Sequence, residues 1–155
     1  MGTHFRGTPA EVLALDTLIK LMRAADSVSA ELTRHVAAAD LTIGQFGVLE
    51  ALYHLGTLTQ GDLGVKLLRS GSNLTTVVDN LEKRGLVRRT RRPEDRRVVD
   101  VSLTPAGRRL ITRLFPAHAS RIVELFAALD EADQRRLGAL CRRLGRSLSH
   151  KEQNQ

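Results

Sequence analysis

Between Lys83 and Arg97 the chain carries eight cations (Lys83, Arg84, Arg88, Arg89, Arg91, Arg92, Arg96 and Arg97) and two acids, Glu94 and Asp95. That stretch holds +6 of the chain's net +7, so the other 140 residues are close to neutral. Guanidinium groups crowded this tightly repel one another unless an anion compensates, which points to a polyanionic partner. A merely solvated charge run would mix its signs over the surface. Just upstream, Leu74, Val77, Val78 and Leu81 recur at helical spacing. The opposite face of that helix then shows Ser72, Asn73, Thr75, Thr76, Asp79, Asn80 and Lys83. Small hydroxyl and amide groups suit hydrogen bonds to base edges and contacts with thymine methyls, whereas Lys83 suits a phosphate. The candidate base-reading set is Ser72, Asn73, Thr75, Thr76 and Asn80 with Lys83, and the cations from Lys83 to Arg92 form the phosphate-binding stretch. Downstream, Arg91, Arg92, Arg96 and Arg97 crowd one turn, a slender tip suited to the negative potential of a narrow minor groove. Asp95, two residues before Arg97, is placed to orient its guanidinium by a charge-assisted bond.

The elements that must position these residues are announced by their caps. Thr8-Pro9-Ala10-Glu11 is a capping box with proline at the first helical position. Behind it Leu15, Leu18, Met22, Ala25, Leu32 and Val36 mark a long amphipathic helix to about Ala38. Thr42-Ile43-Gly44-Gln45 opens a second helix that Gly56 stops, and Thr59-Gln60-Gly61-Asp62 opens a short third. A Ser70-Gly71-Ser72 break leads into the base-reading helix, which ends at Gly85. The apolar period then changes to two, so Leu86–Thr90 and Val98–Leu103 read as a hairpin with Arg92–Arg96 at its tip. Thr104-Pro105 starts another long helix, which Pro116 is expected to kink, and Asp130 with Asp133 caps a last one.

This order predicts a mainly α fold with a small β-hairpin: a winged helix-turn-helix core flanked by N- and C-terminal dimerisation helices. The expected division is a flexible tail over 1–7, a dimerisation helix over 8–40, the DNA-binding domain over 41–104, dimerisation helices over 105–149 and a flexible tail over 150–155. The terminal helices each carry an apolar stripe that the central block does not need for its own core, which predicts a homodimer.

The segment Thr59 to Gly107, with its "VVDNLEKRGLV", "EDRRVVDVSLTPAG" and flanking helices, resembles the core of the MarR family of bacterial transcriptional regulators. The resemblance spans roughly residues 10–148. It implies a dimer straddling a palindromic double-stranded DNA operator, usually as a repressor, often released by a small phenolic or aromatic carboxylate. It also implies that Asp95 and Arg97 form the family's wing Asp-x-Arg pair, with Arg97 in the minor groove. The family's effector pocket lies between the dimerisation helices and the winged domain, where Arg34, His35, Tyr53 and His54 are the candidates to take an aromatic acid.

Other chemistries find little footing. Five scattered histidines show no metal-ligand spacing, and no cofactor motif or catalytic constellation is present, so neither a metal nor an enzyme is expected. The lone Cys141 shares a stripe with Leu137, Leu140, Leu144 and Leu148 and is expected to be a buried core thiol. The oxidant-sensing branch of the family keeps its cysteine in the N-terminal helix, where this chain has none. With no signal-peptide pattern and no membrane-length apolar run, the expected location is the cytoplasm. The rival within DNA binding is a non-specific architectural protein, which offers no reason for a polar recognition face.

Overall fold

The computed structural model describes residues 2–67 and 71–152, with side-chain environments for 2–67 and 73–147. Among the described residues six helices and three short strands follow in order: α1 Pro9–Ala37, α2 Ile43–Leu55, β1 Leu58–Thr59, α3 Gln60–Leu67, α4 Gly71–Lys83, β2 Val87–Arg91, β3 Val99–Leu103, α5 Pro105–Phe126 and α6 Glu131–Glu152. The chain divides into two units, residues 1–118 and 119–155.

The caps expected from sequence are formed. Thr8 and Glu11 close a reciprocal box at α1, and Thr42 and Gln45 another at α2. Each satisfies two backbone N–H groups that a helix start leaves without partners. Thr59 Oγ1 accepts from the Asp62 N–H at 3.0 Å and so caps α3. At the end of α4, Gly85 takes a left-handed φ of 68°, the Gly85 N–H reaches the Glu82 carbonyl at 2.8 Å, and the Leu86 N–H reaches that of Leu81 at 3.0 Å. This Schellman turn lets the chain reverse directly into the wing.

The sheet has three strands in the order β1-β3-β2, all antiparallel, and not two. Leu58 pairs with Val101 and Thr59 with Asp100, while β2 and β3 run from Val87↔Leu103 to Arg91↔Val99. β1 escapes sequence reading because two residues cannot display a period of two. It matters because it ties the start of α3 to the wing.

The core of residues 1–118 is one cluster. It gathers Val36 of α1, Phe46, Leu49 and Leu52 of α2, Leu63 of α3, Leu74, Val78 and Leu81 of α4, Val87 and Val101 of the sheet, and Ile111 of α5. The base-reading helix therefore buries the stripe expected of it, with Val77 packed at the edge. The "LTPAG" motif makes the joint behind the wing. Thr104 donates its hydroxyl to the Gly85 carbonyl at 2.6 Å and accepts the Gly107 N–H at 3.1 Å, while its own N–H bonds the Leu86 carbonyl at 3.1 Å. Gly107 passes so close that a Cβ there would stand 1.9 Å from the Leu86 carbonyl oxygen.

α5 runs as one helix through Pro116. The proline removes one helix bond, but Pro116 and Thr112, whose carbonyl loses its partner, are both exposed, so water can serve that carbonyl. Cys141 is exposed, not buried, as are Leu137, Leu140 and Leu144 beside it. The stripe exists, but its described leucines, Leu137, Leu140 and Leu144, keep 39–49% of their surface exposed. α1 likewise leaves Leu13, Leu18 and Met22 exposed. Among the described residues, no helix is long and apolar enough to cross a membrane.

Candidate nucleic-acid interface

α3 and α4 pack as a helix-turn-helix, joined on the outer side by a 3.0 Å bond from Gln60 Nε2 to Thr75 Oγ1. That contact holds Thr75 half-buried, whereas Asn73, Thr76, Asn80 and Lys83 are exposed along the same helix. Ser72 lies in the first turn of α4, and its side chain falls outside the described set, as do residues 68–70 with the first part of the expected break. Sequence reading missed Gln60 as a partner of the base-reading face; its position two residues before Asp62 marked it only as part of a cap.

The eight cations separate into two groups. Three are committed to acceptors within the fold. Arg84 Nη1 donates to the Asp40 carbonyl at 2.6 Å, where Asp40 holds a left-handed φ of 57° at the junction of α1 and α2. Arg89 binds Glu82 through Nε and Nη2 at 3.0 and 2.8 Å, and Asp79 through Nη2 at 2.5 Å. Arg92, expected among the wing's DNA contacts, spans the hairpin in a two-point bond to Asp100, with both distances 2.9 Å. The other five, Lys83, Arg88, Arg91, Arg96 and Arg97, are exposed, and among the described residues only Arg97 of the five is ion-paired, with Asp95. Inward pairing follows from where the strand pleat and the helix turn bring carboxylates, information that a linear charge count lacks.

The pairing sets the local electrostatics. The backbone N–H of Arg89, then its guanidinium, hold the Glu82 carboxyl below its ordinary range. The bond to Arg92 does the same for Asp100. Both acids stay charged, and both arginines stay oriented.

At the wing tip, Val98 N–H bonds the Asp95 carbonyl at 3.0 Å and Arg92 N–H bonds the Val98 carbonyl at 3.2 Å, closing the turn. Asp95 Oδ1 accepts the backbone N–H of Arg97 at 3.0 Å, while the Arg97 Nε stands 3.8 Å away. The aspartate thus braces the Arg97 backbone and does not grip its guanidinium, as the sequence had suggested. A two-residue spacing closes an Asx-type ring more readily than it returns a long side chain. The guanidinium is left 97% exposed, projecting from a fixed base.

The MarR family model matches residues 41–99, the α2-to-wing segment. The HTH-type transcriptional regulator MhqR of Bacillus subtilis is 34% identical over 132 residues, covering 85% of this chain and 91% of that protein. The chain belongs to the MarR family. Sco3205, a MarR family transcriptional regulator of Streptomyces coelicolor solved in complex with DNA, superposes with a TM-score of 0.84 at 26% identity, covering 95% of this chain and 93% of the other. Bordetella bronchiseptica BpsR, solved to explain regulation of its DNA binding by 6-hydroxynicotinic acid, superposes at 0.76 with 29% identity, over 83% of this chain and 98% of that one. These relatives are transcriptional regulators and not enzymes, and the MarR assignment makes the winged helix-turn-helix a DNA-binding fold.

The four effector candidates of this MarR-family chain divide. Arg34 is exposed on α1 and ion-paired with Glu31. His35, Tyr53 and His54 belong to an aromatic cluster that sequence reading only half found. Its centre is Phe115 and His118 of α5: His54 meets Phe115 edge-on at 4.5 Å, Phe46 lies 4.2 Å from His118, and His35 lies 5.5 Å from it. The missed signal was a histidine on an apolar stripe, since Ile111, Phe115 and His118 recur at helical spacing. His118 is 4% exposed, and its Nδ1 finds no partner among the described residues. Burial, then the neighbouring His35, lowers its pKa below the ordinary 6.5. The folded state therefore favours neutral His118, and this contribution to stability is present above pH 6.5 and lost as pH falls through the lowered folded value. The melting temperature should fall as the pH is taken from about 7.5 to 5.5, above the range where carboxylates titrate. His118→Leu should flatten that part of the profile; an unchanged slope would show that His118 is not the titrating group.

Proposed function

We propose that the chain is a homodimeric repressor of the MarR type that binds a palindromic operator. Each copy lays α4 in a major groove and its wing in the flanking minor groove. The observation that carries this reading is the outward set of five cations, Lys83, Arg88, Arg91, Arg96 and Arg97, beside the exposed amides and hydroxyl of Asn73, Thr76 and Asn80. Lys83, Arg88 and Arg91 serve the phosphates, Arg96 and Arg97 the minor groove, and Asn73, Thr75, Thr76 and Asn80 the base edges. A second copy would cover the exposed leucines of α1 and, separately, those of α6, which also accounts for an exposed Cys141 on an apolar stripe.

The effector reading places a small aromatic carboxylate beside His35, Tyr53 and His54, with the aromatic cluster supplying ring contacts. The relative whose DNA binding is regulated by 6-hydroxynicotinic acid, itself an aromatic acid, supports that ligand class. Arg34 stands at the surface with Glu31 and would have to leave that partner to join in.

The test is binding of an operator selected from a random duplex library, followed by fluorescence anisotropy against salt. Two chains per duplex, a steep loss of affinity with salt and a clear preference over random duplex are expected. Equal affinity for both duplexes would instead favour the architectural reading. Asn73→Ala and Thr76→Ala should each relax preference at one or two base positions, at a cost of about 1–3 kcal/mol per lost base contact. Unchanged preference in a repeat selection with both variants would remove α4 as the reading element.

A further inference from the structure

We propose that Arg89 is a positioning residue: it clamps the recognition helix to the wing through Asp79 and Glu82 and makes no phosphate contact of its own. The inference rests on the DNA-binding reading above and adds what sets the geometry of that site. Arg89 stands in the middle of β2, paired with Val101 of β3, while Asp79 and Glu82 lie one turn apart on α4. Its backbone N–H donates to Glu82 Oε1 at 3.0 Å, and its Nε and Nη2 both donate to Glu82 Oε2. Nη2 also reaches Asp79 Oδ1 at 2.5 Å. Both oxygens of Glu82 are thereby engaged, one by the strand's backbone and one by its side chain.

Two features set Arg89 apart from the outward cations. The cluster of Asp79, Glu82 and Arg89 carries a net negative charge, the wrong sign for attracting phosphate. The arginine's planar fork is also already spent on carboxylates, the geometry it suits best. Elsewhere α4 meets the wing through the Gly85 turn and the apolar core of Leu74, Val78 and Leu81, which sets the helix's rotation coarsely. The bonds from Arg89 to Asp79 and Glu82 would hold it against the smaller turns about its axis that base contacts cannot tolerate. Such rotation would carry Asn73, Thr76 and Asn80 away from the base edges while Arg97 stayed in its groove. An operator reads both elements at once, so the clamp would determine whether they fit one duplex together.

The experiment compares Arg89→Lys, Arg89→Ala and Glu82→Gln with wild type on the selected operator across a salt series, with folding checked by circular dichroism. Lysine keeps the charge but lacks the fork, so a clamp predicts that Arg89→Lys and Arg89→Ala both lose affinity by about tenfold. The salt slope should stay near the wild-type value, whereas a lost phosphate contact in both copies would reduce it by about 1.8. Glu82→Gln removes a negative charge near DNA, yet the clamp predicts weaker operator binding. Full rescue by lysine, a reduced slope in Arg89→Ala, or tighter binding by Glu82→Gln would each overturn the proposal. Should Arg89→Ala not fold, the lysine and glutamine variants carry the same decision. A wild-type protein with no preference for its selected operator would overturn the regulator reading instead, a separable outcome.

Discussion

Replacing Arg96 and Arg97 together with alanine is expected to weaken operator binding on the order of a hundredfold or more, because the dimer proposed above would lose four groove-facing cations at once. Both side chains are exposed; the hydrogen bond from Arg97 to Asp95 is made by its backbone, which alanine keeps, and the 3.8 Å ion pair of its side chain with Asp95 is solvent-exposed and contributes little to stability. Thermal stability should therefore stay within experimental error of wild type. The loss should appear in the salt dependence: the slope of log affinity against log salt should shrink by about 3 to 4. It should also be largest on operators whose flanks are A·T-rich, where the minor groove is narrow and its potential most negative. An affinity loss with an unchanged slope would mean that the wing acts through the shape of the protein and not through its charge. Arg92→Ala makes the contrast, since it should act chiefly by loosening the Asp100 brace across the hairpin.

The second large effect concerns stability. Gly107→Ala should destabilise the fold by about 3 kcal/mol, the upper part of the range for overpacking a tight site. A glycine near the start of a helix would ordinarily gain from alanine, by up to about 1 kcal/mol. Here the added Cβ would stand 1.9 Å from the Leu86 carbonyl oxygen and 2.9 Å from its carbon. The obstacle is backbone, and it cannot swing aside. Moving it would break the Thr104-to-Leu86 bond and the hydroxyl bond to Gly85, the two contacts that close the joint between the end of α4, the wing and α5. Gly61→Ala is the matched control, since its nearest neighbour would be Thr59 Oγ1 at an ordinary 3.8 Å. Thermal unfolding at one fixed protein concentration should show a drop of roughly 6–12 °C for Gly107→Ala and no drop for Gly61→Ala. A neutral Gly107→Ala would mean that α5 can slide away from Leu86 at little cost.

Together the two predictions separate the parts of the winged segment. On these predictions the outward arginines would hold affinity without holding the fold. Gly107, Thr104 and Gly85 would hold the fold through the joint behind the wing. Arg84, Arg89 and Arg92 stand between, since each spends its charge on a neighbouring element and so fixes where the outward group points. The charge concentrated between Lys83 and Arg97 is thus less a uniform basic patch than five outward cations on a frame of internal ion pairs.

Much of this was legible without coordinates. The two Thr capping boxes, the α4 stripe of Leu74, Val77, Val78 and Leu81, the Gly85 stop, the alternating β3 and the Thr104-Pro105 start all depend on neighbours within about five residues. Such signals survive in a linear string because the backbone's own hydrogen-bond demands create them. The pattern of these elements also sufficed to indicate the fold and the family, since a helix-turn-helix followed by an arginine-tipped hairpin and "LTPAG" leaves few alternatives.

What the chain's order of residues could not settle was direction and company. Arg89 meets Glu82 seven residues away, Arg92 meets Asp100 across eight, and Arg84 meets Asp40 across forty-four. Nothing local distinguishes those three arginines from Arg88, Arg91 or Arg97. The burial of His118 beside Phe46, the third strand β1, the backbone role of Asp95 and the exposure of Cys141 belong to the same class. Each depends on which distant surfaces the folded core brings together, and a net charge or an apolar period carries no record of that. Residue types and caps were enough to indicate a winged helix-turn-helix of the MarR type; packing alone selected which of its cations remain turned outward.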